Sequence, residues 1–243
     1  MAKRFLDNSD LAERINIARG QVLNTSHIHK FGAVPAMSNG TTGTVWDVND
    51  TVYPWSAWAT PGVLTIPAVN AADNGDRVVV QGLDENFDIT EEEFTLSSST
   101  TVTGTKTFSR VSRAYYYDDT TNAGDINIQR GGVTVARISA GKAQTLMTLY
   151  TVPAGYTGYL TKGVASIQYG GDCTIDMFVR YYRLASFRIG HSGEVSGTGG
   201  PYHYEFSVPI VIPEKSDIDV RTSVRSNNAR VTAAFDLILI RAA

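Results

Sequence analysis

From about Thr44 to the C-terminus, apolar and polar residues alternate with a period of two. Along Tyr202 to Ile212, the residues Tyr202, Tyr204, Phe206, Val208, Ile210 and Ile212 alternate with His203, Glu205, Ser207, Pro209 and Val211. Successive side chains of a strand point to opposite faces, so this pattern predicts a half-buried strand with the first set turned inward. Ile218, Val220, Thr222 and Val224 alternate in the same way with Asp217, Asp219, Arg221 and Ser223, and Asn227-Asn228 predicts the turn that follows. Val231 to Ile240 is nearly apolar on both faces, which predicts a strand at the centre of a sandwich rather than at an edge. Earlier strands are predicted over Arg77 to Leu83, Glu92 to Leu96, Thr105 to Tyr116, Asp125 to Gln129, Val133 to Ile138, Gln144 to Thr151, Gly158 to Tyr169 and Thr174 to Leu184. Asp73-Asn74-Gly75, Arg130-Gly131-Gly132, Pro153-Ala154-Gly155, Gly170-Gly171 and Gly197 to Pro201 supply the reversals between strands. Many short strands with no amphipathic helix between them predict an all-β protein, an antiparallel β-sandwich with jelly-roll-like lobes.

One segment breaks the period. Asp10 and Glu13 have the spacing of a capping box, and Gly20 suits a left-handed C-terminal residue. Leu11, Ile15, Ala18 and Val22 share one stripe at helical spacing. A helix of about ten residues is marginal alone in water, so this one should exist docked against something. With Phe5 as a further anchor, residues 1–30 are expected to form a docking arm whose contacts are Phe5, Leu11, Ile15, Ala18 and Val22. The other reading is that the stripe closes the core of its own lobe. The polar stretch Asn24 to Lys30 is expected to be an extended connection, and Gly141 to Gln144 a seam. That divides the body into an N-terminal β lobe over 31–140 and a C-terminal, jelly-roll-like lobe over 141–243.

Composition narrows the classes. A chain of 243 residues can bury a core without staples, and its single cysteine, Cys173, cannot form an internal disulfide. A formal charge of -3 with both signs interspersed lacks the basic stripe that tracks phosphates, so no nucleic-acid partner is expected. The start, Met1-Ala2-Lys3-Arg4-Phe5, is followed by Asp7, Asn8, Ser9 and Asp10 where a signal peptide needs apolar residues, so no export is expected. No run of about 18 apolar residues occurs, and no membrane association is expected.

Few side chains stand in a pattern that points to chemistry. His27 and His29 could chelate a metal if a third ligand came from elsewhere, but they read as polar residues of a mobile connection. His191 lacks the context of a nucleophile or zinc signature, and His203 falls on the polar face of its strand. Asp84, Asn86 and Asp88 resemble the opening of a calcium loop, yet Ile89 and Thr95 stand where glycine and glutamate belong, which leaves a polar hairpin. Asp217 and Asp219 share one strand face and read as surface charge against edge pairing. Glu91-Glu92-Glu93 reads as a solvated acidic run. Trp46, Trp55 and Trp58 read as core. Tyr115, Tyr116 and Tyr117 must place rings on both faces of a strand, so at least one is expected to be an exposed contact. No catalytic residue, cofactor or metal site is expected, and the chain reads as a non-enzyme.

Lys30-Phe31-Gly32, Thr44 to Val48 with Tyr53-Pro54-Trp55, and Val78 to Asp84 resemble a group of virion structural proteins of tailed bacteriophages, of marine or cyanophage type. Tyr150 to Leu160 and Ile212 to Arg221 resemble the same group, so the likeness runs from about Lys30 to the C-terminus. The chain departs from it at Ala33, Val34 and Pro35, where relatives carry polar residues. The resemblance implies a structural role in the particle of a phage, made in the bacterial cytoplasm. Its leading form is a capsid decoration or cement protein on the major capsid protein or another virion protein, assembled as a homo-oligomer with a trimer favoured. A tail, collar or fibre-adaptor protein and a carbohydrate-binding host-attachment module are the alternatives.

Overall fold

The computed structural model describes residues 10–118, 120–168, 171–197 and 199–242, the side chains of residues 10–12 apart. A helix α1 (Asp10–Ala18) precedes strands β1 (Thr25–Met37), β2 (Thr42–Thr44), β3 (Thr65–Ile66), β4 (Arg77–Leu83) and β5 (Ile89–Thr95). Then come β6 (Val102–Thr103), β7 (Arg110–Tyr116), β8 (Ile126–Arg130), β9 (Val133–Ile138), β10 (Leu149–Thr151) and β11 (Tyr156–Gln168). The chain ends with β12 (Cys173–Arg180), β13 (Arg188–Val195), β14 (Tyr202–Ile212), β15 (Asp217–Val224) and β16 (Ala229–Arg241). The protein is all-β with antiparallel sheets and one short helix, as the alternation predicts.

Two sheets make a sandwich. The first runs β1-β16-β11-β14, and the second runs β10-β15-β12-β13 with β2 continuing the β10 side of β15. Their shared core takes Val231, Ala233, Phe235, Leu237 and Leu239 from β16 and Cys173, Ile175, Met177 and Val179 from β12. The nearly apolar strand β16 lies between β1 and β11 at the centre of its sheet, where both neighbours satisfy its backbone. The other two sheets, β6-β3-β8-β9 and β5-β4-β7, enclose a second core from Trp46 to Leu149.

The division of the chain differs from the expected one at residues 30/31 and 140/141. The strand β1 pairs with β16 from Thr25↔Ile240 to Met37↔Ala229, and Val34, Met37 and Val45 join the sandwich core. The chain thus enters the sandwich, leaves it for the second lobe between Trp46 and Leu149, and returns at Tyr150. Asn24 to Lys30 is correspondingly mostly strand rather than connection, and the Gly141 to Gln144 seam falls inside the second lobe, where Gln144 bridges to Tyr115. Periodicity missed β1 because its inward positions hold Ile28, Lys30, Gly32 and Val34 instead of an apolar row. Gly32 is needed there: a Cβ at that position would stand 2.4 Å from the Val45 carbonyl oxygen.

The lobes meet over two carboxylates that the sequence presents as surface charge. Asp217 is only 2% exposed and Asp219 0% exposed, because the outer face of β15 is covered by the second lobe. Arg110 of β7 donates to Asp217 at 2.7 and 3.2 Å, Arg180 of β12 at 2.9 and 2.6 Å, and the Thr151 hydroxyl at 2.6 Å. Asp219 accepts from Thr44 at 2.8 Å, from the Trp55 indole at 2.9 Å and from Arg221 at 2.8 Å. The Arg180 guanidinium also lies 5.0 Å from the Trp55 ring and 4.7 Å from that of Phe187. A buried carboxylate is tolerable only with its charge and lone pairs matched, and here both lobes supply the match. Removing the acid would leave two guanidinium groups without a counter-charge. Asp217→Ala is therefore expected to cost about 3–5 kcal/mol in a urea melt; a loss below about 1 kcal/mol would show that the network is not what joins the lobes.

Candidate functional surface

The expected docking residues are placed only in part. Phe5 and the Leu11 side chain lie outside the described residues. Ile15 and Val22 are half-buried and Ala18 is exposed. Helix α1 rests over the outer face of the first sheet, where Arg14 donates to Glu205 of β14 at 3.0 Å. Ile17 and Ala18 border a cleft of about 260 Å³ floored by His27, Lys162, Asp236 and Ile238. The helix thus sits against its own sheet.

Beneath that helix is a polar cluster that the sequence scattered over three strands. His27 and His29 stand on β1, two residues apart and so on one face, and His29 is in register with Asp236 of β16. His29 Nδ1 lies 2.5 Å and His27 Nε2 3.5 Å from the same oxygen, Asp236 Oδ1, while Lys162 Nζ lies 2.9 Å from Oδ2. The two histidines therefore belong to a strand and not to a mobile connection. Burial alone would raise the Asp236 carboxyl, but the hydrogen bonds and charges of His29 and Lys162 outweigh it and hold it below the ordinary carboxylate value. The signal in the sequence was Asp236 itself, the one charged residue between Val231 and Ile240. Chemically the cluster satisfies itself. Both carboxylate oxygens are taken, and among the described residues no group of three His, Cys, Asp or Glu side chains could hold a metal ion. No serine, threonine or cysteine among those residues is hydrogen-bonded to either imidazole.

The remaining candidates resolve into structure. Asp84 Oδ1 accepts the backbone amides of Asn86 and Asp88 at 2.8 and 2.9 Å, so its oxygen closes a hairpin. Glu92 accepts the amide and hydroxyl of Thr105, which ties the acidic edge strand β5 to the loop between β6 and β7. Burial raises the Cys173 thiol, which lines the sandwich core. Trp46 and Trp58 are buried and Trp55 is half-buried against Asp219. Tyr116 is buried with its hydroxyl on Asp76, Tyr115 is half-buried beneath Arg113, and Tyr117 is exposed beneath Arg77. The run thus places rings on both faces of β7 and the turn after it.

The strongest candidate for contact with another molecule is the side of the sandwich where β13 and β14 lie. Among the described residues each is an edge strand with one hydrogen-bonded neighbour, β12 and β11 respectively. Its mouth is filled by aromatic rings: His191 lies 4.5 Å from Tyr204 and 5.0 Å from Phe206, and its Nε2 is 2.8 Å from the Tyr202 hydroxyl. Burial in this cluster lowers the His191 imidazole. The inward row expected along β14 is interrupted, because the pairing passes from Leu160↔Ile210 to Lys162↔Glu205 and leaves Phe206 to Pro209 opposite Thr161 alone. A proline cannot donate to the ladder, so the strand bulges there and turns Val208 out, 79% exposed. Ile189 of β13 is 57% and Tyr204 41% exposed. Protruding apolar residues on two open edges are a costly arrangement in water unless a neighbour covers them.

The Asp236 cluster carries a pH dependence. A carboxyl depressed by folding stabilises the fold above its unfolded value and loses that contribution as the pH falls through the folded value. Asp236→Asn is expected to lower the melting temperature by several degrees near neutral pH and to cost progressively less below about pH 4. Equal losses at both pH values would show that the carboxylate charge plays no part.

No protein-family model matches the chain, and no curated protein matches it. Among solved structures the chain is similar to infectious bursal disease virus, Gx strain, at 11% identity and a TM-score of 0.24, over 90% of this chain and 76% of that one. It is similar also to the VP2 subviral particle of infectious bursal disease virus, at 12% identity and a TM-score of 0.25, over 90% of this chain and 72% of that one. The likeness to these virus-particle structures is weak, and TM-scores of this size establish neither a shared fold nor a shared function.

Proposed function

We propose that this chain is a non-enzymatic structural protein of a bacteriophage particle, and within the particle a capsid decoration protein that assembles as a homo-oligomer. The observation that supports this most directly is the open side of the sandwich, where β13 and β14 present Ile189, Tyr204 and Val208 to solvent. A particle subunit meets neighbours on fixed sides, and exposed apolar groups beside unpaired strand edges suit such a junction. The stretches that resemble phage virion proteins also supply architecture. Gly32 permits the close approach of β1 to Val45, Thr44 holds Asp219, and Asp217 and Asp219 join the lobes. Such residues build a rigid subunit. No helix among the described residues is long and apolar enough to cross a membrane.

The test is a cryo-electron-microscopy map of the encoding phage, with particles assembled in the presence of wild-type protein or Val208→Asp. Wild-type density is expected on the head in hundreds of copies, and Val208→Asp should melt within about two degrees of wild type, as exposed substitutions do, yet be absent from the particle. A small fixed number of copies at the tail or collar would replace the decoration role with that of an adaptor. Full incorporation of Val208→Asp would overturn the assignment of this side as the junction.

A further inference from the structure

Lys30 is a buried lysine with no acid beside it among the described residues. It occupies an inward position of β1, in register with Phe235, where the neighbouring inward residues are Ile28 and Gly32. Its side-chain nitrogen donates across the lobe boundary to the backbone carbonyl of Ser112 on β7, and its side chain is buried. Among the described residues no carboxylate pairs with it, although buried lysines ordinarily need such a partner. The charged group that acts on it most is Arg113 of β7, which repels it. A cleft of about 410 Å³ is lined by Ile28, the inward residue before Lys30 on β1, and by Ser112, whose carbonyl Lys30 meets; Lys30 itself is not part of the lining. The charged and titratable groups on that cleft are Arg110, which is neutralised by Asp217, Glu91, and the Tyr150 phenol. On the β16 side it faces Phe235, and Asp236 with its histidines lies on the opposite face of the sheet.

We infer that Lys30 is a pH-dependent strut between the two lobes: as a neutral amine it ties β1 to β7 through the Ser112 carbonyl, and on taking up a proton at this buried, acid-free position it pulls water toward itself and loosens that tie. The energetic direction follows from its surroundings. Burial, and secondarily Arg113, lowers its pKa to about 7. The unfolded chain, with an ordinary lysine, holds the extra proton from there up to about pH 10. Stability therefore rises with pH across that interval, and the deficit is fully present below the folded value. A carboxylate in place of the carbonyl would have removed this sensitivity, because a paired ammonium stays charged throughout.

Two measurements on the full chain test the inference. In a carbon-13 titration of the lysine Cε signals, Lys30, assigned by its disappearance in Lys30→Met, is expected to titrate near neutrality; a midpoint above about pH 9 would overturn the inference. Amide hydrogen exchange, corrected for intrinsic rates, is then compared at about pH 6 and about pH 8.5. Amides of residues 28–32 and 110–114 are expected to lose about tenfold protection at the lower pH in the wild type, and to show no such loss in Lys30→Met. The same loss in both proteins would mean that the loosening does not depend on the amine, and would also overturn it. If Lys30→Met does not fold, the wild-type titration decides alone, with assignment through selective labelling.

Discussion

The structure depends above all on the need to neutralise two acids in the interior. Asp217 and Asp219 stand on the outer face of β15, and β15 is the strand on which β2, β10 and β12 converge. Once the second lobe covers that face, every oxygen of the two carboxylates must find a donor. The donors come from both sides of the boundary: Arg110 and Trp55 from the second lobe, Arg180, Arg221 and Thr151 from the sandwich. A purely apolar contact could slide by a residue at small cost. Bidentate guanidinium contacts do not allow that, so the lobes have one relative placement.

That placement makes the two sides of the sandwich unequal. On the β1 side, Gly32 lies so close to Val45 and Thr148 that the second lobe's connections close the gap. On the β13 and β14 side no strand among the described residues pairs with the outer edges, and the bulge at Phe206 to Pro209 breaks the ladder of β14. The bulge discourages pairing along the middle of that strand and at the same time lifts Val208 into solvent. One local irregularity thus selects contact through side chains over contact by strand addition. This supports reading the side as a junction with a specific neighbour.

The polar groups that stand isolated in the sequence are paired across strands in the structure. His27 and His29 looked like a chelate lacking a partner, and the partner is Asp236, more than two hundred residues away in the chain but opposite His29 in register. Its appearance alone in an apolar strand was the only local hint. Asp217 and Asp219 looked solvated because alternation reports which residues share a face and not what covers that face. Lys30 carried no local sign of burial, and its surroundings are set by the packing of β1 under β7.

What the sequence by itself determined is the class of structure: all-β with antiparallel sheets, a short capped helix ahead of them, and a final strand apolar enough to sit at a sheet centre. These follow from local periodicity and turn chemistry, which act over a few residues and need no knowledge of the rest. Only the tertiary structure decided that β1 belongs with β16, that residues 46–149 form a lobe set into the sandwich, and that the acids of β15 are buried. The physical reason is that pairing and covering are long-range events. Hydrogen-bonding registers and charge neutralisation join residues far apart in the chain, and Lys30, Gly32 and Asp217 acquire their roles only from neighbours that the local pattern does not name.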